Sequence, residues 1–143
     1  KSQGWEIDLL RFRIYLKDKY KISKAFYFVG YIEANTKLYQ YLQNCGYILI
    51  FKPILVHDGK IKGNVDAELV LHAMIEIANY EKALIVTGDG DFFCLIDHLN
   101  KNGKLLKLII PNSRSFSSLL RPFVQEMAFM DNLRNKLSCG QKN

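Results

Sequence analysis

An apolar run, ALIV, gives way to TGDGDF near the middle of the chain, so that Asp89 and Asp91 alternate with Gly88 and Gly90 where a buried strand would end. In an extended segment, residues i and i+2 project to the same side about 6 to 7 Å apart, so both carboxylates can reach one point. Gly88 and Gly90 are expected to let the backbone turn tightly around that point. Two unscreened carboxylates about 5 Å apart repel by roughly 3 kcal/mol at an effective dielectric near 20. A hard divalent cation would offset that repulsion. The structural alternative is that Asp89 ends the strand in a turn and Asp91 caps the helix that follows.

Asp66 adds a third carboxylate. It falls in the first turn of the clearest helical pattern, Val65 to Asn79, for which Asn64 is the candidate N-cap. Its offsets to Leu69, Val70, Ala73 and Ile77 put it on the apolar stripe with Met74, turned toward a sheet and away from solvent. A first-turn aspartate facing the helix dipole is the alternative reading. Oxygen ligands with no organised His or Cys set suit Mg2+ or Mn2+, and metal-assisted attack of water on a phosphodiester is the matching chemistry. His57, His72 and His98 show no ligand pairing, and neither a P-loop nor a GxGxxG motif is present.

The elements that must position these residues follow from periodicity. Leu9, Phe12, Leu16 and Tyr20 mark an amphipathic helix, KAFYFVGYI a buried strand, and Leu38, Tyr41, Leu42 and Cys45 a second helix closed by Gly46. YILIF is the next strand, with regular pairing ending near Pro53, and HDGKIKGN reads as a polar turn. After ALIVTG, the residues Phe92, Leu95, Ile96 and Leu99 give a helical face stopped by Gly103, and LLKLIIP is a last strand. Ser117 to Arg121 is expected as a short helix, Phe123 to Met130 fits either state, and Asp131 is expected to cap a final helix to about Leu137. Strands that alternate with helices and are apolar throughout imply a mainly parallel sheet covered on both faces, with ligands bound outside the carboxyl ends of its strands.

Bulk properties set the frame. The 143 residues are 49% hydrophobic and 24% charged, which fits one globular domain with a real core. No apolar run approaches the roughly 18 to 20 residues of a membrane span. Three cysteines, odd in number and without metal-ligand spacing, favour a reduced, cytoplasmic setting. A net charge of +6 favours an anionic partner. The first residue is Lys1, shortly before a helical pattern, which suggests a piece of a longer chain.

KIKGNVDAELVLHAM, ALIVTGDGDFFCLIDHL, and KLLKLIIPN with FSSLLRPF, in that order, closely resemble the NYN domain, a branch of the PIN-like nucleases, over nearly the whole chain. The resemblance implies a three-layer α/β/α sandwich whose acidic site binds Mg2+ or Mn2+ and hydrolyses RNA. Asp66 matches the aspartate of the family's KGNVD stretch, and Asp89 and Asp91 match those of SGDGDF, with Thr87 in the serine's place. These three aspartates are the implied catalytic and metal-binding residues. Lys62, Asn64, Thr87, Arg114 and Ser117 are the candidate RNA contacts, with Lys60, Arg121 and Ser118 as further candidates near phosphate; capping the short helix that follows is the alternative role of Ser117 and Ser118.

The sequence departs from the family in two places. His72 stands where some relatives carry another aspartate, and the family's opening strand, of the form FIDxxN, has no counterpart after Lys1. That strand would bring a further metal ligand, so the 143 residues alone are expected to be inactive while the full-length parent cleaves. The expected partner is RNA and not a membrane, with a second copy or a regulatory protein as candidates. An NYN-like binding module without cleavage is the rival reading. A different DxD enzyme, an aspartyl phosphatase or a toprim-type domain, is less well matched by KAFYFVGYI.

Overall fold

The computed structural model describes residues 6–57, 60–62 and 65–138. In chain order its elements are α1 (Leu9–Tyr20), β1 (Ala25–Tyr31), α2 (Thr36–Asn44), β2 (Tyr47–Pro53), β3 (Leu55–His57), β4 (Lys60–Lys62), α3 (Asp66–Ile75), β5 (Ala83–Val86), α4 (Phe93–Lys101), β6 (Leu105–Ile110), β7 (Met127–Phe129) and α5 (Arg134–Leu137). The chain divides into two compact units, one holding residues up to Leu69 with those from Lys136 onward, the other Val70–Asn135. The division falls inside α3, which is one continuous helix.

In the first unit Asp8 caps α1, its Oδ1 accepting from the amides of Leu10 at 3.1 Å and Arg11 at 3.2 Å, an arrangement worth about 1 kcal/mol. Lys21, at φ 59°, ends the helix in the left-handed region, and the amides of Lys21 and Ile22 donate back to Lys17 and Leu16. β1 and β2 pair in parallel from Ala25 opposite Tyr47 to Tyr31 opposite Pro53, so the ladder stops where proline removes a donor. Ala25, Leu42, Cys45 and Tyr47 form the buried core here, with Leu9, Tyr27 and Leu49 against it. Gly46, at φ +105°, makes the tight exit from α2 into β2. The guanidinium of Arg13 fixes both neighbouring loops by donating to the carbonyls of Gly46, Ile22 and Ser23 at 3.3, 3.2 and 3.0 Å.

β3 and β4 form an antiparallel hairpin, with Leu55 opposite Lys62 and His57 opposite Lys60. The turn expected over HDGKIKGN is therefore partly strand, because Lys-Ile-Lys carries the two-residue alternation of one. The expected N-cap, Asn64, lies outside the described residues.

In the second unit β5, β6 and β7 form a parallel sheet in that order, with Val86 opposite Ile109 and Ile110 opposite Phe129. Leu108, Ile109 and Ile110 of the central strand are fully buried, as are Ile96 and Leu99 of α4 and Leu120. Each such side chain contributes about 1.5–3 kcal/mol. Gly103, at φ +68°, ends α4 as its position predicts.

The long helix expected from Val65 to Asn79 is α3 followed by a separate 3-10 turn at Ile77–Asn79. The Lys104 ammonium closes that turn, donating to the carbonyls of Ile77 at 2.8 Å and of Tyr80. Asp131 does not cap a final helix. It sits in the 3-10 turn Met130–Leu133, and its Oδ2 accepts from the Ser113 hydroxyl at 2.5 Å. Among the described residues no helix is long and apolar enough to cross a membrane.

Candidate functional site

The site is built on the end of β5. The Thr87 amide still donates to Ile109 at 3.0 Å, extending the ladder by one residue past Val86. Thr87 is 8% exposed, and its Oγ1 accepts from the Asp89 amide at 3.1 Å. Asp89 is extended at φ −91°, ψ 123°, and its Oδ1 accepts from the Asp91 amide at 2.8 Å. Asp89 is thus the N-cap of the 3-10 turn Gly90–Phe92 that leads into α4, and Asp91 lies within that turn. The capping role that the structural alternative gave to Asp91 belongs to Asp89.

The two glycines serve close approach and not a left-handed turn, since the positive-φ glycines among the described residues are Gly46 and Gly103. A Cβ on Gly88 would stand 3.1 Å from Phe116 Cβ, and one on Gly90 would collide with Ser117 Oγ. The segment after β6 therefore lies directly on the aspartate loop, and the Ser117 amide donates to Gly88 O at 2.9 Å. Ser117 also caps the 3-10 stretch Ser118–Glu126, its Oγ accepting from the Leu119 amide at 3.2 Å. Gly88, Asp89, Gly90, Asp91, Ser115, Phe116, Ser117 and Leu119 line an open depression of about 430 Å³.

Asp66 opens α3 and is half-buried, as its place on the apolar stripe predicts, whereas Met74 of the same stripe is 36% exposed. Asp89 and Asp91 of the second unit each offer one carboxylate oxygen, and these lie within 4.8 Å of each other. At that spacing the pair repels by roughly 3 kcal/mol at an effective dielectric near 20, and by less where water reaches it. Hard cations hold oxygens at about 2.0–2.6 Å, so opposed ligands on one ion stand about 4 to 5 Å apart. The Asp89 and Asp91 oxygens fit one such ion.

The remaining candidates fall in different places. Ser117 lines the depression. Thr87 is buried, and its Oγ1 accepts from the Asp89 amide. Arg114 is exposed just ahead of the Ser115–Leu119 wall, its amide donating to Asn112 Oδ1 at 3.0 Å. The Arg121 guanidinium stands over the Phe116 ring at 5.8 Å, and Ser118 is exposed at the start of the 3-10 stretch. Lys60 and Lys62 are the end residues of β4, and Asn64 lies outside the described residues. Ser115, Phe116 and Leu119 are wall residues that sequence reasoning did not single out. Their signal was the glycine pair itself, which marks something packed against it.

The NYN domain model matches residues 1–131, and the chain belongs to the NYN domain family. A Vibrio parahaemolyticus protein of unknown function, known from its crystal structure, has the same fold. The two share 21% identity and a TM-score of 0.72, over 93% of this chain and 83% of that one. No curated protein matches the chain. Mixed helices and parallel sheets thus make a PIN-like α/β fold with an acidic cluster on it.

Proposed function

We propose that this domain is a Mg2+- or Mn2+-dependent ribonuclease that hydrolyses RNA phosphodiester bonds at Asp66, Asp89 and Asp91. The observation that carries the reading is the approach of the Asp89 and Asp91 carboxylate oxygens to within 4.8 Å in a chain of the NYN family. Bound there, the ion supplies charge to offset that developing on phosphate and lowers the pKa of the attacking water. The protein's own groups do the positioning. The Asp89 Oδ1 accepts from the Asp91 amide, which orients the carboxylate that would hold the ion, while Thr87 fixes the Asp89 backbone. Ser117 and Arg114 are assigned to the RNA backbone beside the depression, with Lys62 and Asn64 ahead of Asp66. The net charge of +6 favours such backbone contacts without base readout.

The test is cleavage of a labelled RNA in Mn2+, Mg2+ and EDTA. It uses the 143-residue chain beside the longest encoded protein that contains it. The reading expects metal-dependent products, abolished by Asp91→Asn. Salt-dependent RNA affinity without products in any form would make the domain a binding module. Phosphate release from small esters in place of RNA cleavage would make it a different enzyme.

A further inference from the structure

The depression beside Asp89 and Asp91 is open and is lined by both polar and apolar side chains. Its roughly 430 Å³ leave room beside an ion with a few ligands. Sites of this size hold small organic groups. One side is carboxylate and serine, while Phe116 and Leu119 supply an apolar wall. Phe116 is also held in place before any ligand arrives. Its Cβ is seated against Gly88, its ring centroid lies 5.9 Å from that of Phe129, and the next amide is tied to Gly88 O. The exposed Arg121 guanidinium stands 5.8 Å over the same ring, putting positive charge beside an aromatic surface.

We infer that this depression is a nucleobase subsite, in which the base of a nucleotide bound at the aspartates lies against Phe116 with Arg121 alongside. The inference rests on the ribonuclease reading, since it requires a nucleic-acid ligand. A ring fixed in advance loses little entropy on stacking, and every base has a π face, so the contact is tolerant of sequence but needs an unpaired base. Apart from the aspartates, Ser115 and Ser117 are the polar side chains of the lining, too few to read a base edge. The subsite therefore selects for the presence of a base and not for its identity.

The experiment is equilibrium binding, by fluorescence anisotropy in Ca2+, of a uridine oligomer about ten nucleotides long and of an equally long abasic tetrahydrofuran-phosphate oligomer. Both carry the same phosphates. The wild-type chain is expected to bind the uridine oligomer about tenfold tighter, the usual worth of one stacked base. Phe116→Leu should bring the ratio to about one with abasic binding unchanged, and Phe116→Tyr should keep the preference. Equal binding of both oligomers by the wild type overturns the subsite and leaves the ribonuclease reading standing. Binding of neither overturns both. A Phe116→Leu protein that keeps the preference, or that weakens both oligomers alike, shows Phe116 to be structural and also overturns the subsite. The wild-type ratio decides the matter even if Phe116→Leu fails to fold.

Discussion

The amide of Ser117 donates to the carbonyl of Gly88 across 2.9 Å, fastening the segment that follows β6 onto the loop that follows β5. Because Gly90 has no side chain, Ser117 can lie against it as well. The aspartates are therefore held by two parts of the sequence, and disturbing either part should move the carboxylates.

Gly90→Ala tests that coupling. The added methyl collides with Ser117 Oγ and stands 3.0 Å from Leu119 Cδ1, an overpacking that costs about 1–3 kcal/mol. Denaturant unfolding and Mn2+ titration should show lower stability and weaker metal binding. Ser117→Gly placed on the same background should restore part of each. A Gly90→Ala protein that matches the wild type in both assays would remove the coupling.

Thr87→Val separates shape from hydrogen bonding. Valine fills the same space but leaves the Asp89 amide without its 3.1 Å acceptor, a loss of about 1 kcal/mol or somewhat more in this partly buried position. Thr87→Ser retains the oxygen. Melting curves and Mn2+ affinity should fall for valine and stay near wild type for serine; the opposite ranking would mean that the methyl group, not the hydroxyl, is what the loop needs.

Tyr47 gives the first unit a measurable response to alkali. Its hydroxyl donates to Leu9 O at 2.7 Å, and burial, followed by the neighbouring Cys45, raises its pKa above the ordinary 10.0. Tyr15 is pushed up to about 12, mainly by burial and then by Tyr20. As pH rises past about 10, the unfolded phenols lose protons first, the unfolded state binds fewer protons than the native one, and stability falls. That contribution is complete below the unfolded pKa and is lost between there and the folded value. Tyr47→Phe should cost about 1 kcal/mol near neutrality through the Leu9 bond and should flatten the decline between about pH 8 and about pH 11. Urea unfolding across that range measures it, and identical slopes in the two proteins would contradict it.

Helices and strands with several residues of periodic pattern were legible in the sequence, as α1, α4 and β6 show. β7 was not, since Met127–Phe129 has too few positions to display an alternation and follows a 3-10 stretch containing Pro122. Lys60–Lys62 was hidden for the same reason. At the site, Asp66, Asp89 and Asp91 could be named from type and position. What could not be read was the division of labour between Asp89 and Asp91, which depends on one side-chain-to-amide bond, and the purpose of Gly88 and Gly90. Glycine in a loop suggests a turn, whereas here it admits Phe116 and Ser117 from a segment more than twenty residues away. Asp131 was misread because aspartate before a helix favours a cap, and its partner, the Ser113 hydroxyl, is distant in sequence.

The central claim is that Asp66, Asp89 and Asp91 together hold a divalent cation. Calorimetric titration of Mn2+ into the wild-type chain and into Asp66→Asn, Asp89→Asn and Asp91→Asn tests it most directly. The account predicts saturable binding that each substitution weakens by about tenfold or more, equivalent to about 1.4 kcal/mol, in proteins that remain folded. Absence of saturable binding, or binding that is the same in all four proteins, would contradict it.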